Sequence, residues 1–343
     1  MATGSGLDAQ FGFASESVVG TAVTVAKFVE FISEDIKESP TWLEPTALRV
    51  GRKYKRAGRV VKSRTTIEGS LTIEVSTRGI GLLVARMLGS AATPVQIAST
   101  SAYKQIHIPG DHRGKSLTVQ VGRPEPGTGT VVPFTYRGCK IKSWEFSVSD
   151  GEVAQLKIDF DGMAGTNATA LASASFVSAE VFNFRQATLK LGGTPATASG
   201  ELAVTGGTAV ATVVKKITIK GEVPLATERF GLGNAGIKSE PLENGTPTIT
   251  GSMDAEFSKV ELYDVYQAGT TTALQLTLTG NAIPSGGGAN DLFDIILPAC
   301  KLKEAAPTVD GADIVQMSTD IEAYDNEADG PIQIKIVSAD TAL

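Results

Sequence analysis

The sequence predicts a mainly β chain built from two similar units in tandem, each carrying one short α-helix. The first observation behind this is composition. Glycine is abundant, at 37 of 343 residues, only 20% of residues are charged and 6% aromatic, and Thr, Ser and Val are frequent. Short strands joined by many turns have this usage. The second is the stretch at 65–89, TTIEGSLTIEVSTRGIGLLVARMLG. Thr66, Glu68, Ser70, Thr72, Glu74 and Ser76 alternate with Ile67, Leu71, Ile73 and Val75. That is the period of a strand with one wet and one buried face. Ile80, Leu83, Val84 and Met87 then follow at helical spacing, with Thr77 near the start and Gly89 at the stop.

The third observation is that this stretch recurs. At 248–269, TITGSMDAEFSKVELYDVYQAG repeats Ile67 as Ile249, Gly69 as Gly251, Ser70 as Ser252, Glu74 as Glu256 and Ser76 as Ser258. A helix with Leu262, Val265 and Tyr266 inward again ends at a Gly, here Gly269. Downstream, Cys139-Lys-Ile-Lys with Gln155 matches Cys300-Lys-Leu-Lys with Gln316, and LTVQV at 117–121 is paired with LQLTL at 274–278. Matched blocks kept in one order predict an internal duplication.

Taken in order, residues 1–24 are small and polar and are expected to form an N-terminal arm. Residues 27–36 (KFVEFISEDI) begin the first core strand. Residues 40–64 are expected to be a long basic loop, holding Arg49, Arg52, Lys53, Lys55, Arg56, Arg59, Lys62 and Arg64, with scarcely an acid after Glu44. A Gly- and Pro-rich connection at 90–133 encloses the strand at 117–121, and 136–162 reads as a hairpin turning at Ser-Asp-Gly. The Ala/Ser-rich segment 165–178 is the expected linker between a first unit at 25–164 and a second at 179–343. The second unit opens with strands at 182–191 and 213–223 and passes through the repeated strand and helix. After a Gly286-Gly-Gly288 loop and the Cys300 hairpin, it closes on PIQIKIV at 331–337.

Several function classes are disfavoured. A net charge of −6 argues against nucleic-acid affinity as the main activity. Two cysteines in corresponding places of separate units suggest buried thiols and a reducing compartment rather than a disulfide framework. The N-terminus has no basic start and carries Asp8 and Glu16, so a signal peptide is not expected. His107 and His112 sit in a Gly/Pro/Asp-rich stretch and are expected in a surface loop, without partners at metal-ligand or acid–base spacing. Gly231-Leu-Gly233-Asn-Ala-Gly236 spells a dinucleotide fingerprint but has Pro241 rather than a clear helix beyond it, so it is expected to be a turn. No cofactor, metal site or catalytic set is predicted, and the chain is not expected to be an enzyme. Within the basic run Tyr54 is the single interleaved aromatic, which gives base stacking little support. Docking on acidic protein surfaces is its expected use.

The Gly-rich start GSGLDAQFGFASESVVGTAV, the FVEFISEDI strand, the basic loop and IEGSLTIEVSTRGIGLLVARMLG carry a resemblance, as do YRGCKIKSWEFSVSDGEVAQLKIDFDG and DIILPACKLKEAAPTVDG. Together they resemble the major tail tube proteins of long-tailed, non-contractile bacteriophages, of the actinophage type. The resemblance implies two tandem β-sandwich or half-barrel folds, each with a flanking short helix, closing with other subunits into a β-barrel tube. It implies stacked rings that conduct the genome into the host, assembled in the host cytoplasm around a tape measure protein and finished by tail tip and terminator proteins. With a duplicated chain it implies homotrimeric, pseudo-sixfold rings; homohexameric rings are the alternative. DNA would pass without specific binding.

Under that resemblance the wet strand faces become candidates for the bore: Glu68, Thr72 and Glu74; Gln155, Lys157, Asp159 and Asp161; Asp254 and Glu256; Gln316, Ser318 and Asp320. Acids predominate, and a bore of like charge would let DNA slide. The helices would cover the outside with a single apolar stripe each. Arg49, Arg52, Lys53, Lys55, Arg56 and Arg59 become candidates for contact between subunits or rings. Three rivals remain at this point, the weakest being a hydrolase, which lacks a nucleophile–base set. Another is a contractile-tail or secretion-system tube protein, usually shorter and unduplicated. The third is an adhesive or carbohydrate-binding β-sandwich, which would cluster exposed aromatics, whereas Trp42 and Trp144 stand alone.

Overall fold

The computed structural model describes residues 4–343 apart from 211 and 310. The chain begins with a 3-10 turn, Gly6–Asp8, whose N-cap Ser5 accepts a hydrogen bond from the Leu7 N–H. The strands β1 (Gln10–Ser15), β2 (Lys27–Val29), β3 (Ser33–Glu34), β4 (Lys37–Leu43) and β5 (Val61–Glu74) follow. Next come the helix α1 (Gly81–Met87), β6 (Val95–Gln96), β7 (Tyr103–His107) and β8 (Leu117–Pro124). The long β9 (Val131–Ser149), β10 (Gln155–Gly162) and β11 (Ala164–Thr166) end this half.

The second half starts in the same way. A 3-10 turn, Phe184–Gln186, has Asn183 as its N-cap, accepting from the Arg185 N–H. It leads into β12 (Ala187–Leu191), a small hairpin of β13 (Thr194–Ala198) and β14 (Glu201–Thr205), and β15 (Thr208–Ala209). Then come β16 (Val214–Glu222), β17 (Thr248–Glu256), the helix α2 (Glu261–Ala268) and β18 (Thr272–Ala282). The long β19 (Asn290–Glu304), β20 (Gln316–Ala323) and β21 (Gln333–Ser338) complete it.

One strand order is used twice. In the first half, β5 lies between β4 and β10; β10 pairs with β9, and β9 with β8 and β11; β8 pairs with β1. In the second, β17 lies between β16 and β20; β20 pairs with β19, and β19 with β18 and β21; β18 pairs with β12. Registers repeat as well. Gly69 is opposite Phe160 as Gly251 is opposite Ile321, and Glu74 faces Gln155 as Glu256 faces Gln316. The irregularity between β9 and β10 at Asp159/Phe160 recurs between β19 and β20 at Leu302/Glu304. One correspondence moves by two residues. Leu117 lies opposite Cys139 and Thr272 opposite Cys300, so Leu117 corresponds to Thr272, not Leu274. A shift of two keeps every side chain on its face, which is why the alternation could not reveal it.

The repeated glycines have a steric reason. A Cβ on Gly69 would lie 2.4 Å from the Cα of Ile36, and one on Gly251 would lie 2.5 Å from the Thr218 carbonyl oxygen. Each marks where the backbone alongside approaches too closely for a side chain. The apolar faces of β5, β10, β9, β16, β17 and β20 close on one shared core, in which Phe146 from the first half stacks on Phe293 from the second at 5.3 Å.

Four expectations are corrected. Residues 10–15 do not belong to an arm: β1 pairs with β2 and β8, and Phe11 and Phe13 are wholly buried. The helix α1 has no single stripe, since Gly81, Leu82, Leu83, Val84, Ala85 and Met87 are all buried, between β9 on one side and β7 on the other. The segment at 165–178 is tied to the first half. Gly165 and Thr166 belong to β11, Ala170 and Ala172 accept hydrogen bonds from Gln120 and Gln10, and Phe176 packs edge-on to Phe28. The basic stretch is a hairpin, not a loop throughout, because residues 40–43 and 61–64 lie in β4 and β5.

Candidate functional site: a polar sheet face and a basic hairpin

Pairing across β5, β10, β9, β16, β17 and β20 places the alternating polar residues on one continuous face. Glu74 is beside Gln155, Gln155 beside Ser147, Ser147 beside Thr218, Thr218 beside Ser252 and Ser252 beside Asp320. The same ladder brings Glu68, Thr72, Lys157, Asp159, Asp254, Glu256 and Gln316 to this face. It adds Glu145, Lys216, Lys220 and Glu222, which the sequence reading did not select. Carboxylates outnumber ammonium groups, and part of the charge is compensated locally. Lys220 pairs with Glu145 at 2.9 Å, Ser143 donates to Asp159 at 2.7 Å and Ser318 donates to Asp254 at 2.9 Å. At the edge, the Ser70 N–H and hydroxyl hold the Asp35 carboxyl below its usual range.

Asp161 is on the same face by register, but it is not wet. Residues 224–245, the connection between β16 and β17, fold back over that end of the first half. The Gly236 carbonyl accepts from the Thr65 N–H, and Lys238 ion-pairs with Asp161, both side chains being fully buried. Lys140, opposite Asp161 in the β9–β10 register, holds the same connection, donating to Glu240 at 2.6 Å and to the Pro241 carbonyl at 2.8 Å. Burial raises the Asp161 carboxyl, and Lys238 opposes that rise. Strand periodicity cannot report a cover that arrives from nearly eighty residues away.

The β4–β5 hairpin projects the basic residues. Arg49, Arg52, Lys53 and Lys55 are exposed and Arg56 and Arg59 half-buried, around the 3-10 turn Ala57–Arg59. Lys55 pairs with Glu44 within the loop. Apolar side chains share the tip: Leu48 is 100% exposed, Val50 98% and Tyr54 88%. Basic and apolar side chains are thus exposed together at this tip.

The histidines are corrected. His107 ends β7 opposite Ile334 and is fully buried; His112 is buried too, and its backbone N–H donates to the Glu243 carboxylate at 3.1 Å. Burial lowers both pKa values, that of His107 to about 4. Both cysteines are free and buried, and burial pushes their thiols up, Cys300 to about 12. Gly231–Gly236 is a pair of turns with Leu232 in solvent. Trp144 lies in the core while Trp42 is exposed on β4, so the two do not form an aromatic platform. Among the described residues, no group of three or more His, Cys, Asp or Glu could hold a metal ion, and no helix is long and apolar enough to cross a membrane.

A comparison with curated proteins finds no match. Among solved structures, the SPP1 tail tube, determined by solid-state NMR and cryo EM, is similar at 11% identity and a TM-score of 0.30, over 47% of this chain and 81% of that one. The family described as phage tail tube protein matches residues 6–327. With nearly every strand of both halves inside that match, the chain belongs to the phage tail tube protein family.

Proposed function

We propose that this virion tail protein, whose family builds polymeric tubes, does so here as rings of three chains. Each chain supplies two similar units, so a ring is pseudo-sixfold. The rings stack into the hollow tail tube of a long-tailed, non-contractile phage. The continuous polar face lines the bore, and the buried core and helices lie outside it. Assembly takes place in the host cytoplasm around a tape measure protein and ends on tail tip and terminator proteins. The bore then passes the genome without binding it, because its excess of carboxylates repels phosphates. The role is structural, with no reaction assigned. The observation that carries this reading is the ladder that joins the polar faces of both halves into one surface. Cryo-electron microscopy of tails or of concentrated protein tests it. Threefold rings with the polar face inward are expected; true sixfold rings, or a bore lined by other strands, would overturn it.

The basic hairpin is assigned to contacts between subunits or rings. Each exposed charge is worth roughly 0.2–1 kcal/mol in such a contact. Replacing Arg52, Lys53, Lys55 and Arg56 together with Ser is therefore expected to raise the concentration needed for polymerisation by about tenfold. The melting temperature of the free subunit should hardly move. Sedimentation and thermal unfolding measure the two effects, and an equal loss of both would discard the assignment.

A further inference from the structure

The joint between the two halves is a strand pair. Ser143–Ser149 of β9 runs antiparallel to Lys216–Glu222 of β16, with Phe146 opposite Ile219 and Ser143 opposite Glu222. On its other side the same piece of β9 pairs with β10. Residues 304–309 occupy the corresponding place in the second half. Glu304 is opposite Asp320 as Ser143 is opposite Asp159, and Thr308 bridges Gln316 as Ser147 pairs with Gln155. Their far side, which β16 covers in the first half, has no strand among the described residues. At the opposite end of the sheet, β3 and β4 hold the place of β16. Ile36 crosses Gly69 as Ile219 pairs with Gly251, and every residue of β4 is exposed. The outer edge of β3 and β4 likewise has no strand among the described residues.

We infer that these two edges without a strand partner are the two sides of one joint between copies of this chain. Residues 304–309 of one copy pair antiparallel with residues 34–39 of the next, in the register already used inside the chain. That puts Glu304 opposite Ser39, Ala306 opposite Lys37 and Thr308 opposite Asp35. The joint rests on the tail-tube reading, in that a repeating ring is what brings the edges together, and it removes the open edges that a lone subunit carries.

Two local details agree with this register. The Asp35 N–H donates inward to Ser70, so the N–H and C=O groups of the alternate residues Glu34, Ile36 and Glu38 point to the free edge. Among these both Ile36 groups are already satisfied within the chain: the N–H donates to the Glu34 carboxylate at 3.2 Å, and the carbonyl accepts from the Tyr136 hydroxyl, at 3.0 Å, and from Arg123, at 2.5 Å. The residue opposite Ile36 in the inferred register is Pro307, which has no N–H to offer. The second detail is charge. Inside the chain, the connection after β16 crosses the joint and sets Lys238 on Asp161. In the joint between copies, the basic hairpin after β4 takes that path, and the place of Asp161 is taken by Glu322, with Asp320 beside it.

Directly opposed residues in an antiparallel pair have Cα atoms about 4.5–5.5 Å apart, within disulfide reach. The test is oxidative cross-linking of polymerised protein carrying Ser39→Cys with Glu304→Cys, both exposed positions. Lys37→Cys with Ala306→Cys is a second pair, and Ser143→Cys with Glu222→Cys reports the joint inside the chain. Covalent multimers on a non-reducing gel, at least tenfold above either single variant, are expected from both intermolecular pairs. Ser39→Cys with Thr308→Cys, slipped along the strand, should give none. If tubes are visible by negative stain but these pairs stay monomeric, or the slipped pair links equally well, the joint is wrong and the tube stands. If folded wild-type protein forms neither rings nor tubes, in vitro or in tails, the reading beneath the joint fails instead.

Discussion

Replacing Lys238 with Ala is expected to destabilise the subunit by about 3–5 kcal/mol, the usual cost of removing one partner from a buried ion pair. Both side chains of the Lys238–Asp161 pair are fully buried; Lys238 meets Oδ1 of Asp161, and Oδ2 has no hydrogen-bond partner. The variant would leave a desolvated carboxylate under the 224–245 connection. Without Lys238 to oppose burial, that carboxyl should take up a proton more readily, so the loss should shrink as the pH is lowered. Combining Asp161→Asn with Lys238→Met, which removes both charges, should cost clearly less than the sum of the two single changes. Urea unfolding at two pH values measures all of this. Additive single and double variants, or a loss below about 1 kcal/mol for Lys238→Ala, would show that the pair does not hold the halves together.

The second large effect is a loss of stability in mild acid through His107. Burial lowers its pKa to about 4, and its Nδ1 atom is buried without a partner. In the unfolded chain the ring takes a proton below about pH 6.5, while in the folded chain it stays neutral until about pH 4. Its contribution is therefore intact above pH 6.5 and is lost as the pH falls through that window. The loss amounts to about 2 kcal/mol by pH 5 and about 3 kcal/mol by pH 4. Burial lowers His112 in the same direction. The carboxylates held low, such as Asp35, Glu201 and Glu240, add their own losses, but only in more acid solution. His107→Gln should flatten the pH dependence of the unfolding midpoint between pH 6.5 and 5. An unchanged slope in that variant would place the acid sensitivity elsewhere.

What could be read from the residues alone was local periodicity and its recurrence. Alternation placed Glu68, Thr72 and Glu74 on one face, and the match of Gly69 to Gly251 located the same crossing in both halves. What could not be read was anything decided by distant cover. Asp161 has the period of a wet residue and is buried by a connection from the other half. His107 and the helix α1 look like a loop residue and an amphipathic surface helix until β7 and β21 close over that region. The start of the chain held a usable sign that went unread. Phe11 and Phe13 alternate as Leu189 and Leu191 do, each pair following a turn capped by Ser5 or Asn183. Flanking glycine and small polar residues hid it.

The pairing of β7 with β21 also orders events in time. The strand at 333–338 follows all the others in the chain, yet it is the main partner of one that leaves the ribosome early; β6 offers β7 only two residues. Until residues 333–338 are in place, β7 lacks its main partner, and His107 lacks Ile334, the residue opposite it. The first half is thus kept from maturing on its own, although it contains a complete copy of the strand order. The two halves are therefore expected to mature together rather than one after the other, since a strand of the second completes the sheet of the first.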